Sequence, residues 1–120
     1  MEKLMPEDDF VTLRRGFLNR VDLRLQCMNS LYEEWMDSLS SRESSSLRDL
    51  YYEAHKLAGA ASCYQVHDLT IVAQELERLI YSISQGLLLA PEKASKAVEV
   101  RRQLDSIASV YCDYQRQGLN

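Results

Sequence analysis

His55 stands in the run Ala54-His55-Lys56-Leu57-Ala58-Gly59-Ala60-Ala61-Ser62-Cys63-Tyr64. An imidazole with an ordinary pKa near ~6.5 is largely neutral, and therefore nucleophilic, near neutral pH. The strip of small residues after it clears a space into which a macromolecule can come very close. No Ser-His-Asp arrangement, phosphate loop or metal box assembles around it from the sequence. A bare nucleophile in a cleared space suits a group that accepts and returns a phosphoryl group, with the charge-stabilising machinery supplied by a partner.

Such a nucleophile needs a helix to display it. Each helical residue turns about 100°, so with Ala54, Leu57, Ala58 and Ala61 as the buried face, His55 lies on its flank. Arg48, Tyr52, Gly59 and Ser62 stand three, four or seven residues away and share its face. Lys56 points further round toward solvent. Glycine inside a helix costs about 1 kcal/mol against alanine, and Gly59, one turn after His55, is read as making room beside the imidazole. His55 is thus the candidate nucleophile, and Gly59, Ser62, Tyr52, Arg48, Lys56 and Ala58 around it are the candidate surface for a phosphate or a partner.

The remaining sequence predicts the elements that hold this helix. Apolar residues recur in steps of three and four as Phe10, Leu13, Phe17, Val21, Leu25, Met28, Leu31 or Tyr32, Trp35 and Leu39, one buried stripe on a long helix. It is expected to start after Pro6 with Asp8 or Asp9 as cap. Gly16 marks either a bend or the boundary of a short extra N-terminal helix. The serine-rich stretch 38–46 is a break, and Ser46 with Asp49 resembles a capping box. The next helix is predicted over 47–64, with Leu47, Leu50 or Tyr51, Ala54, Leu57 or Ala58, and Ala61 inward.

Gln65-Val66-His67-Asp68 reads as a tight connection in which His67 or Asp68 caps the following helix. That helix buries Leu69, Val72 or Ala73, Leu76, Leu79 or Ile80, and Ile83, and stops at Gly86. Leu87-Leu88-Leu89 reads as an apolar linker and Pro91 as a first helical residue. The last helix presents Ala94, Ala97 or Val98, Leu104, Ile107 or Ala108, Tyr111 and Tyr114, fraying toward Gly118. The expected fold is all-α: one domain over 1–120, an antiparallel up-down-up-down four-helix bundle.

Composition agrees with one globular domain. The chain has 120 residues, 46% hydrophobic and 27% charged, with only 4 Gly and 2 Pro, which favours few, long elements. The formal net charge of −4 speaks against nucleic-acid binding, which needs a basic face. Cys27, Cys63 and Cys112 form an odd set without metal-site spacing, and reduced thiols in a cytoplasmic protein are the simplest reading. The N-terminal segment lacks the apolar core of a signal peptide. No stretch approaches the ~18 apolar residues of a membrane span, so no membrane association is expected.

The run around His55 resembles the signature of histidine-containing phosphotransfer (HPt) domains: His-x-Leu-(Lys or Ala)-Gly, small residues after it, and a Leu-Glu pair about twenty residues on. Here that reads His55-Lys56-Leu57-Ala58-Gly59-Ala60-Ala61, then Leu69 and Leu76-Glu77. The resemblance covers roughly a third of the chain directly. It implies that His55 is phosphorylated, that the partners are receiver domains of a hybrid sensor kinase and of a response regulator, and that Mg²⁺ is bound on the receiver side. It implies a phosphocarrier with no cofactor of its own, not an autonomous enzyme, and a monomer is expected. The chain departs from many members at Ala58, where they carry lysine, and at Ser62 and Gln65, where they carry glycine, changes compatible with an Ala-Gly subtype of the family. Lys56 follows the histidine where a sensor kinase's own dimerising helices carry an acidic residue, and no proline occurs between Pro6 and Pro91.

Other readings fit the same residues. A degenerate HPt-like module could dock or sequester a receiver or kinase without being phosphorylated, and the missing lysine at Ala58 motivates it. A structural bundle with no relay role is a third reading. Arg14, Arg15, Arg20 and Arg24 form a basic segment read first as a solvated face; as a functional alternative, Arg14, Arg15 and Leu18 are candidate docking residues for an acidic receiver surface. Cys63 and His67 have i, i+4 spacing but no further ligand pair. His67 is read as a loop or cap residue. Tyr52, Tyr64, Tyr81, Tyr111 and Tyr114 are read as half-buried packing residues.

Overall fold

The computed structural model describes residues 7–37, 45–86 and 90–117. Four helices make up nearly all of them: α1 (Glu7–Asp37), α2 (Ser45–Cys63), α3 (His67–Gln85) and α4 (Ala90–Arg116). No strand occurs among the described residues. α1 packs on α2, α2 on α3, α3 on α4 and α4 back on α1, and the diagonal pairs make no close contact among the described residues. Cross-helix pairs set the directions. Arg14 meets Tyr64 and Arg24 meets Glu53; Tyr51 meets Tyr81 and His55 meets Glu77; Asn29 meets Arg101 and Tyr32 meets Ala97. Each neighbouring pair so marked is antiparallel, which gives the expected up-down-up-down bundle.

The core is built from one stripe per helix. α2 supplies Leu50, Ala54, Leu57, Ala58 and Ala61, and α3 supplies Leu69, Ala73, Leu76, Ile80 and Ile83. α1 adds Phe17, Leu18, Val21, Leu25, Met28, Tyr32 and Trp35, and α4 adds Ala97, Val100, Leu104, Ile107 and Tyr111. Four residues depart from the periodicity. Leu13 is 43% exposed, and Ala94 is exposed too, while Leu18 and Val100 are fully buried. The cause on α1 is length: its 31 residues outrun the 19 of α2. Near that end Tyr64 covers Phe10 and Phe17, with ring centroids 6.1 and 5.2 Å away, and leaves Leu13 in solvent.

Helix ends also depart from expectation. α1 runs unbroken through Gly16, so there is no separate short helix among the described residues, and Asp8 and Asp9 lie inside α1 rather than capping it. Ser46 lies inside α2, and its hydroxyl donates to the Glu34 carboxylate at 2.9 Å, a contact to α1 instead of a local capping box. Pro91 falls in the first turn of α4, which begins one residue earlier. Gly86 does end α3; its backbone is extended and its N–H donates to the Ile83 carbonyl. Pro6, Leu39, most of the serine-rich stretch, Leu87-Leu88-Leu89 and Gly118 lie outside the described residues.

The turn between α2 and α3 carries the most local chemistry. Gln65 has φ +60°. The Val66 N–H donates to the Ala61 carbonyl at 2.8 Å and the Gln65 N–H to the Ser62 carbonyl at 3.0 Å. This is a Schellman closure with glutamine in the left-handed position that glycine usually occupies. Val66 and Ala61 are both fully buried, which supplies the apolar contact that accompanies the motif. Val66 is then the N-cap of α3, with no side-chain cap bond, so neither His67 nor Asp68 caps that helix. A left-handed conformation costs a residue with a Cβ roughly 1–2 kcal/mol. Gln65→Gly is therefore expected to stabilise the fold by about 1 kcal/mol in urea titration, after the larger chain entropy of glycine is set against it. A destabilised Gln65→Gly protein would show that the glutamine side chain holds the turn by contacts of its own.

Candidate functional site

α2 and α3 make the most extensive helix contact in the bundle, and the candidate site lies on its outer seam. The His55 side chain is 63% exposed, and its Nδ1 lies 2.8 Å from Glu77 Oε2 on α3. A ring nitrogen that donates to a carboxylate fixes the tautomer, leaving the other nitrogen with its lone pair. Nε2 makes no hydrogen bond to any described residue. The arrangement can therefore offer a neutral imidazole with Nδ1 protonated and Nε2 free to attack.

Tyr51, one turn before His55 on α2, forms a wall. Its ring is parallel to the imidazole within 9°, with centroids 6.2 Å apart. Its hydroxyl lies 3.5 Å from the same Glu77 Oε2. Loss of solvation, followed by the nearby Glu77 carboxylate, pushes the Tyr51 phenol above its ordinary pKa, so it stays protonated and able to donate. Tyr52 meets Tyr51 edge-on at 5.6 Å, and Tyr81 from α3 lies against it at 6.3 Å. Beyond Tyr51 a groove of about 310 Å³ opens between α2 and α3, lined by Leu47, Arg48, Tyr51, Tyr52, Ile80, Tyr81 and Ser84.

The sequence-predicted residues divide. Tyr52, Gly59 and Ser62 are exposed on α2 with His55, as their spacing required. Arg48 is exposed as well, 3.9 Å from Asp49, and lines the groove instead of reaching the imidazole. Lys56 turns away and pairs with Glu53 at 2.8 Å; Arg24 from α1 meets the other Glu53 oxygen at 3.5 Å. Ala58 is only 6% exposed, so its methyl belongs to the core and not to a partner surface. Leu18 is fully buried and cannot serve as a docking residue. The Arg14 Nε donates to the Tyr64 carbonyl at 3.2 Å, which ties α1 to the end of α2, while Arg15 is exposed. Cys63 ends α2 and His67 begins α3, so they share no helical face. No cluster of three or more His, Cys, Asp or Glu suited to a metal occurs among the described residues. None of the described helices is long and apolar enough to cross a membrane.

Two residues that geometry puts at the site, Glu77 and Tyr51, were not among the candidates. Glu77 was visible as half of the Leu76-Glu77 pair, without a role. Tyr51 was read as an alternative to Leu50 in the buried stripe, although a spacing of four from His55 already placed it beside the ring.

Gly59 has no packing reason of its own. A Cβ built there meets nothing within 4 Å. Gly59→Ala is accordingly expected to stabilise the helix by about 0.5–1 kcal/mol, read as a higher urea midpoint at unchanged slope. A destabilised Gly59→Ala protein would contradict the open space. The chain as a whole matches no family model, no curated protein and no solved structure.

Proposed function

We propose that this chain is a histidine phosphotransfer protein: His55 takes a phosphoryl group from the aspartate of one receiver domain and gives it to another in a multistep two-component relay. One observation carries the reading. An exposed imidazole has its Nδ1 held by a carboxylate and its Nε2 directed to no described residue, beside a glycine that internal packing does not require.

The step follows from those atoms. The Nε2 lone pair attacks phosphorus in line; the N–P bond forms as the P–O bond to the receiver's aspartate breaks, and the carboxylate leaves with the electron pair. The proton on Nδ1 stays in place, and the positive charge that develops on the ring is balanced by Glu77 at 2.8 Å. The reverse sequence delivers the group to a second aspartate. Charge on the moving phosphoryl oxygens is met from the receiver side, where the resemblance implies Mg²⁺.

A second reading, a receiver-binding module that is never phosphorylated, is favoured by a different observation. The position of the usual lysine is a core alanine, and Lys56 and Arg48 pair with Glu53 and Asp49, so no cation of the described residues touches the imidazole. Incubation with a phosphorylated receiver separates the two. Wild type is expected to gain acid-labile, alkali-stable phosphate, and His55→Gln none. Equal labelling of both proteins overturns the assignment of His55. Receiver binding that persists in His55→Gln, with no label on the wild type, favours the second reading. Gly59→Leu is expected to fold, since its Cβ points into open space, yet to slow transfer by roughly tenfold or more by blocking approach. Wild-type transfer rates in a folded Gly59→Leu protein would remove the steric argument.

A further inference from the structure

We propose that Tyr51 is a positioning residue: its ring, stacked on the His55 imidazole, holds that imidazole with Nδ1 on Glu77 and Nε2 outward. The consequence for catalysis rests on the phosphotransfer reading; the positioning itself does not.

An imidazole that is 63% exposed is free to rotate about its side-chain bonds, and one hydrogen bond at a surface competes with water. Swinging out of its plane carries Nδ1 away from the carboxylate and lets either nitrogen bear the proton. Glu77 alone is thus a weak restraint on the ring. Tyr51 is the aromatic group in reach, 9° from parallel at 6.2 Å, within the range of offset stacking. A parallel neighbour holds the plane of the ring, because tilting out of that plane breaks the stack, and within the plane the Glu77 carboxylate selects the edge that carries Nδ1. Tyr51 can act as a wall because it is itself half-buried and braced on two sides, by Tyr52 at 5.6 Å and by Tyr81 of α3 at 6.3 Å.

The phenol adds a second, weaker link. At 3.5 Å from Glu77 Oε2 it is at the outer limit of a hydrogen bond, whereas His55 approaches the same oxygen to 2.8 Å. The stack is thus the main restraint and the hydroxyl the minor one. Tyr51→Phe keeps the restraint, and Tyr51→Leu, which retains apolar bulk but no planar face, removes it.

The test reads the tautomer directly. Imidazole ¹⁵N shifts are recorded on full-length ¹⁵N-histidine-labelled protein, with His67→Gln used to assign the two histidines. Wild type and Tyr51→Phe are expected to show His55 predominantly as the Nδ1–H tautomer, and Tyr51→Leu a mixture. In parallel, phosphoramidate supplies the phosphoryl group without a partner; its P–N bond breaks, ammonia leaves, and an N–P bond to His55 forms. Tyr51→Leu is expected to react roughly fivefold more slowly than wild type and to carry phosphate on both ring nitrogens, with Tyr51→Phe within about twofold. A single wild-type tautomer in folded Tyr51→Leu overturns the proposal. So does a tautomer mixture in Tyr51→Phe equal to that in Tyr51→Leu, since the stack would then not be the cause. Absence of phosphate on the wild type from any donor strikes the phosphotransfer reading and leaves the tautomer result to decide on Tyr51.

Discussion

The register of α2 against α3 governs everything that happens at His55. It is set at the turn between them, where Gln65 adopts φ +60° and Val66 closes back on Ala61. From that point the two helices run antiparallel, and 22 residues separate the partners that meet as His55 and Glu77. One residue of slip in either helix rotates a side chain by about 100° and carries the carboxylate off the imidazole. Buried alanines at 54, 58, 61 and 73 let two helix backbones approach closely, because interaxial distance follows the side chains between them. The site therefore needs its core to be small-residue at this seam, and a lysine at Ala58 would have to leave that core before it could reach a phosphate.

The long helices hold this hairpin in place by different means. α1 meets α2 through Arg14 on the Tyr64 carbonyl and Arg24 on Glu53. It meets α4 through the Tyr32 hydroxyl on the Ala97 carbonyl and Arg101 on Asn29, with the Arg101 guanidinium 5.0 Å from the Tyr32 ring centre. Exposed ion pairs contribute little, typically about 0–1 kcal/mol each, so cohesion comes from the apolar stripes and these polar links fix alignment. Two of the four arginines read as a basic segment on α1 are thus clamps within the bundle.

Much of this was legible in the sequence. Periodicity found all four helices and, on α2 and α3, nearly every buried residue, because each of these helices has one apolar face along its whole length. It failed where tertiary context decides. Leu13 follows the stripe but lies toward the end of α1 that outruns α2, where it stays exposed; Ser46 looks like a cap, yet its hydroxyl is taken by Glu34 of another helix. The α2–α3 turn was placed to within two residues, but no glycine marks its left-handed residue, so its geometry and the burial of Val66 were hidden. At the site, the face of His55 could be drawn from spacing on one helix. Glu77 could not, since nothing local says which residue of α3 stands opposite His55.

On the phosphotransfer reading, the electrostatics of the seam favour a macromolecular partner over a free phosphate as the donor to His55. Glu77 stabilises a proton on Nδ1 and any positive charge on the ring, which favours the imidazole as an attacking group. The same carboxylate repels an incoming phosphoryl dianion, and the nearest cations on α2, Lys56 and Arg48, lie against Glu53 and Asp49. Like charges at such short range cost several times more in a water-poor interface than in water. An approaching phosphate would therefore be met more favourably with its charge already compensated. A carboxylate behind the imidazole, no cation in contact with it among the described residues and open space at Gly59 are, on the phosphotransfer reading, better suited to a macromolecule that carries the phosphoryl group together with its own positive charge than to free phosphate.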